Sequence, residues 1–139
     1  MQTRGAIAVG DPLPALQIND QHDRAWNSGL VLKLLLFTAT RKGGEVVHEV
    51  FQTNGAELLQ QKNAAIVADI HRMPLIITRL VALPRMRDYS YPVYLIRDDS
   101  GGAAFPQRSD QVTVLRFVNG RVAAIDFAAD AESLRALLD

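Results

Sequence analysis

The chain has 139 residues, with 15 Lys and Arg against 15 Asp and Glu, so it is about one domain long and has no net field to hold a polyanion such as nucleic acid. Hydrophobic residues make up 48%, enough for a real core, and the complete lack of cysteine rules out disulfides, thiolate metal sites and thiol nucleophiles. No apolar run reaches the roughly 20 residues that a membrane helix needs, and the longest, residues 30–37, is interrupted by Lys33, so no membrane insertion is expected.

In chain order, residues 1–9 carry one Arg and a very short apolar stretch, too little for a secretory signal. Residues 16–20 alternate as a half-buried strand does, and the polar residues 21–24 make a turn. Residues 30–37, bounded by Gly29 and Thr38, predict a strand buried on both faces at the centre of an α/β sheet. After Gly43 and Gly44, the pairs Val46-Val47 and Val50-Phe51 recur at helical spacing, Asn54-Gly55 breaks the pattern, and residues 56–62 resume it. Residues 65–68 predict a second buried strand. Pro74 opens a helix that Leu83-Pro84 should end. Pro92 opens a third strand over residues 93–96, closed by turn formers at 97–102. Residues 112–118 and 121–127 alternate around Asn119-Gly120, the strongest short hairpin signal, and residues 128–138 form a last helix with Asp130 available as its cap.

This order resembles that of the thioredoxin fold. Val9-Gly10-Asp11, Pro14 and Asp20 are spaced like the opening segment of the peroxiredoxin and thiol-disulfide oxidoreductase branch, and the similarity runs over nearly the whole chain. It implies a single α/β domain over residues 1–139, with a central mixed sheet and helices on both faces. In that family the loop after the first buried strand carries Cys-x-x-Cys. Phe37 and Ala39 match the residues before that motif, and Lys42, Gly43, Gly44 and Glu45 stand where it would be. Pro92, preceded by Tyr91, is similar to the cis-proline that faces the motif, which implies a cis Tyr91–Pro92 bond. The Gly43-Gly44 loop, Val67-Ala68-Asp69 and Leu83-Pro84-x-x-Arg87 resemble a group of small bacterial thioredoxin-like proteins whose members look exported. The resemblance therefore implies the periplasm, with the cytoplasm as the alternative.

The fold without its thiols implies a redox-inactive binding or adaptor module, whose contact surface is Arg41, Lys42, Gly43, Gly44 and Glu45 together with Tyr91 and Pro92. Glycines at a strand-to-helix junction beside Arg41 and Lys42 could also take a small anion at the helix start, although a tight turn explains them as well. Glu45, His48 and Glu49 share one helix face, but a di-metal site needs a second such motif, so an exposed wet face accounts for them better and no metal is expected. No Gly-x-Gly-x-x-Gly string occurs, and no cofactor is implied. Residues 72–97 carry net charge +4 and residues 98–139 net −3. The Arg-rich stretch with Tyr89, Tyr91 and Tyr94 has the composition that interfaces favour, in a homodimer or with another protein, and a small ligand is the other partner class. The alternative function is an enzyme of non-thiol chemistry that uses His71 or His48 with Asp69 or Glu45.

Disulfide exchange needs an attacking thiolate. Insulin reduction and peroxide turnover by the pure chain are therefore expected at the blank rate, and turnover above blank would contradict this.

Overall fold

The computed structural model describes residues 7–14, 16–26, 32–98 and 102–138. Residues 1–6, Gly29 and the first two residues of the expected 30–37 strand lie outside them, as do residues 99–101 of the following turn. The elements are β1 (Asn19–Asp20), β2 (Leu34–Thr38), α1 (Arg41–Phe51), α2 (Gly55–Lys62), β3 (Ala64–Asp69) and α3 (Leu75–Ile77). A π-helical turn (Thr78–Ala82), α4 (Leu83–Arg87), β4 (Tyr94–Ile96), a 3₁₀ turn (Gly102–Ala104), β5 (Val112–Val118), β6 (Arg121–Ala128) and α5 (Ala131–Leu138) complete the order.

All five residues of β2 are buried, as an unbroken Leu-Leu-Leu-Phe run requires, and β2 lies inside a mixed six-stranded sheet of order β1-β4-β3-β2-β5-β6. Strands β2, β3 and β4 run parallel, while β5 pairs with β2 and β1 with β4 in antiparallel fashion. The β5–β6 hairpin turns through Asn119 and Gly120, both at positive φ (55° and 78°), as a two-residue hairpin turn demands.

Alternation along β2 divides the core. Leu34 and Leu36 face Val47, Val50 and Phe51 of α1 and Leu134 of α5, while Leu35 and Phe37 face Phe105, Phe117 and Ile7. Four helices, α1, α2, α4 and α5, contribute buried side chains to this first face. The other face is covered by Leu13, Leu16, Ile18 and Trp26 and a 3₁₀ turn, so among the described residues the helical cover expected on both faces is on this side that turn alone. Fully burying one such Leu or Phe is worth about 1.5–3 kcal/mol, so both layers matter to stability.

Several sequence expectations change. The strand over 16–20 keeps its alternation, since Leu16 and Ile18 pack inward, but only Asn19–Asp20 joins the ladder. The last helix begins at Ala131, with Asp130 accepting from the Ser133 amide (2.8 Å). Pro84 does not end its helix. The π-helical turn just before it lets the Leu83 amide reach the Thr78 carbonyl five residues back, and this shift takes the helix past a residue that has no N–H to donate.

The Tyr91–Pro92 peptide is trans, not cis. Gln21, in the turn expected over residues 21–24, is fully buried and grips the backbone on both sides of Pro92. Its Nε2 donates to the Tyr91 carbonyl (2.8 Å), and its Oε1 accepts from the Val93 amide (2.8 Å). This holds the segment extended. Moreover, Pro92 opens β4, two strands away from β2, whereas the strand antiparallel to β2 is β5, which begins at Val112. The residue that faces the start of α1 is Gln111, whose carbonyl oxygen lies 3.5 Å from where a Cβ on Gly43 would sit.

Replacing Gln21 by Ala strips two buried backbone groups of their partners. We expect a loss of about 2–4 kcal/mol in urea unfolding. A loss below about 0.5 kcal/mol would show that water replaces the side chain at no cost.

Candidate functional site

Parallel strands β2 and β3 end side by side, and ligand sites of open α/β sheets lie beyond such ends. Here Thr38 and Asp69 border a cavity of about 450 Å3, roofed by residues 75–87 and walled by α1 and Tyr89–Tyr91. Its floor is the apolar core itself, where Val47, Ile66 and Ala68 are almost wholly buried. Ile77, Val81 and Met86 line the roof side. The roof segment buries only Thr78 and Leu83, while Leu75, Ile76 and Leu80 on its outside are each more than 60% exposed.

The aromatic wall depends on one glycine. A Cβ at Gly55 would lie 2.9 Å from the Tyr91 ring, so only glycine after Asn54 lets Tyr91 settle against α2. His48 stacks on Tyr89 (4.4 Å between ring centres), Tyr89 stacks on Tyr91 (5.1 Å), and His48 Nδ1 lies 2.8 Å from the Tyr91 hydroxyl. Burial, and then the Arg85 charge, hold the His48 imidazole below its ordinary pKa. Burial, reinforced by Tyr89 and opposed by Arg85, pushes the Tyr91 hydroxyl well up. Both groups are therefore neutral near pH 7. Nδ1 and the Tyr91 hydroxyl thus pair with each other, and Nε2 has no partner among the described residues.

The residues expected from sequence divide. Arg41, Gly44, Glu45 and Tyr91 line the cavity; Lys42, Gly43 and Pro92 do not. The segment 41–45 is the first turn of α1, which Thr40 caps by accepting from the Gly43 amide (3.2 Å). That hydroxyl takes one of the first-turn amides that the expected anion would share. Arg41 donates to Glu45 (3.2 Å) across one exposed helical turn.

His48 is not on a wet face as expected. It is half-buried and turned toward Tyr91, while Glu45 and Glu49 are exposed. Asp69 lies 2.5 Å from His71 Nδ1 and also accepts the His71 amide (3.0 Å), so carboxylate and imidazole close a local turn. Asp69 lines the cavity and His71 does not. Gly102 packs onto that carboxylate so closely that no Cβ would fit, which holds Asp69 in place. The sequence did not single out the pairing of His48 with Tyr91, because 43 residues separate them and no local spacing records it.

Solved structures of thiol enzymes share this architecture. The chain is similar to a PrxQ of Xylella fastidiosa (11% identity, TM-score 0.63, covering 96% of this chain and 94% of that one). It is also similar to the thioredoxin domain of a thiol-disulfide oxidoreductase from Bacteroides vulgatus (10%, 0.58, 96% and 100%). A thio-disulfide isomerase from Thermus thermophilus is a third (18%, 0.53, 95% and 95%). No protein-family model and no curated protein matches the chain. The fold is thioredoxin-like, and in this chain it carries no cysteine.

A neutral His48 in the folded state has a consequence for pH. Above pH 6.5 it is neutral whether folded or unfolded. As the pH falls below that, the unfolded chain takes the proton first, so acidification weakens the fold. The His48 ring signal should titrate with a midpoint below 6.5 by NMR, and His48→Gln should reduce the loss of stability between pH 7.5 and 5.5. A midpoint at or above 6.5 would contradict the burial argument.

Proposed function

We propose that the chain is a binding module, in which the end of the fold that carries thiols in redox relatives serves instead as a receptor for a small, largely apolar ligand. The cavity of about 450 Å3 beneath residues 75–87 carries this reading, because its size and its apolar floor with a few polar groups at the rim are those of small-molecule sites. The contact residues are then Arg41, Gly44, Glu45 and Tyr91, joined by His48, Val81 and Arg85. Catalysis by the His/Asp pair is the weaker reading. The ring of His71 is not on the cavity wall, and the Nδ1 of His48 is taken by Tyr91.

A neutral fluorescent probe, 1-aminoanthracene, tests this. It should bind with a blue-shifted, enhanced emission and move the amide signals of Val47, Ala68 and Val81. Ala82→Trp, which fills the space under the roof, should abolish binding while the circular dichroism stays native. Unchanged binding in a folded Ala82→Trp, or shifts confined to Leu75, Ile76 and Leu80, would overturn the proposal.

A further inference from the structure

The rim of this cavity is unevenly paired. Five charged side chains border it: Arg41, Arg72, Arg85, Glu45 and Asp69. Both carboxylates are committed, Glu45 to Arg41 (3.2 Å) and Asp69 to His71 (2.5 Å). Arg72 and Arg85 make neither an ion pair nor a side-chain hydrogen bond among the described residues, so two guanidiniums stand over an apolar floor with no anion of the chain to meet them. Arg85 is exposed at the mouth of the cavity, yet stands near enough to His48 and Tyr91 to act on both electrostatically. His48 Nε2 has no partner among the described residues, because it is Nδ1 that engages Tyr91.

We infer that the ligand of the cavity is an anionic amphiphile, a carboxylate on an extended apolar body, with the body lying between the sheet and residues 75–87 and the carboxylate held by Arg85 and Arg72. This rests on the binding role proposed above and names the class of ligand for it. A guanidinium offers two parallel N–H donors that fit a carboxylate, and near an apolar floor such a pair is screened less than in bulk water. A cationic head meets like charge instead. A neutral head gains only the hydrogen bonds of His48 and leaves the two arginines unpaired.

Three probes with the same twelve-carbon chain isolate the head group: dodecanoate, 1-dodecanol and dodecyltrimethylammonium, each below its micelle concentration. Isothermal titration calorimetry should show dodecanoate binding at least tenfold tighter than the alcohol, and the ammonium weakest. In Arg72→Gln/Arg85→Gln that order should collapse to equal affinities, and in Arg72→Lys/Arg85→Lys, which keeps the charge, dodecanoate should stay ahead of the alcohol. Equal binding of acid and alcohol to the unaltered protein, or a preference that survives the double Gln variant, overturns the inference about the head group. In either case, binding of 1-aminoanthracene leaves the receptor role standing. If dodecanoate gives no binding heat and causes no amide shift in Val81 or Met86, the inference falls. If 1-aminoanthracene fails as well, the receptor role falls with it.

Discussion

The geometry of this molecule depends on the buried side chain of Gln21. Its amide satisfies the Tyr91 carbonyl and the Val93 amide, and its Nε2 also reaches the Met86 carbonyl at the end of the roof helix (3.2 Å). Arg87 adds a contact back to the Gln21 carbonyl. One residue from the N-terminal segment therefore fixes three things: the level of β4, the position of Tyr91 and the end of residues 83–87. A buried polar group is tolerated only when its partners are complete, and here the same partners build the cavity wall.

From that clamp the roof follows. Residues 75–87 are tied at their end by Gln21 and anchored inward by Thr78 and Leu83, with little else beneath them. A uniform α-helix through Pro84 would lose a hydrogen bond and clash with the preceding turn. The π-helical turn avoids both by inserting an extra residue, and it sits directly over the cavity. π turns inside helices occur often at functional sites, and the placement of this one agrees with that tendency.

What could be read from sequence was local. The buried β2, the amphipathic α1, the Asn119-Gly120 turn and the Asp130 cap each follow from spacing over a few residues, and the structure keeps them all. The order of elements was enough for the fold. The site was only half legible, because its parts come from far apart in the chain. Gln21 resembles a turn residue until its partners some 70 positions away are known, and His48 resembles a surface residue until Tyr91 is folded against it. Pro92 misled for a related reason. A proline that opens a strand is a local feature, but which strand faces α1 is a matter of sheet order, and the topology gives that place to β5 and Gln111.

A hollow beneath a helix could be a packing flaw, and flaws of this kind close when their walls are free to move, since each lost contact costs dispersion energy. These walls are not free. The stacked rings of His48, Tyr89 and Tyr91 stand between α1 and the end of the roof as a pillar, with Tyr91 itself wedged against Gly55 and Phe51. At the opposite side Asp69 is locked by His71 and by the close approach of Gly102. Closing the gap would mean breaking the pillar or the Gln21 clamp, each with buried polar atoms that would lose their partners. The cavity is therefore held open by the most constrained parts of the structure, while the roof over it is among the least anchored. A rigid floor under a lightly tied cover is the arrangement in which a ligand's apolar body adds contacts that the protein alone does not make.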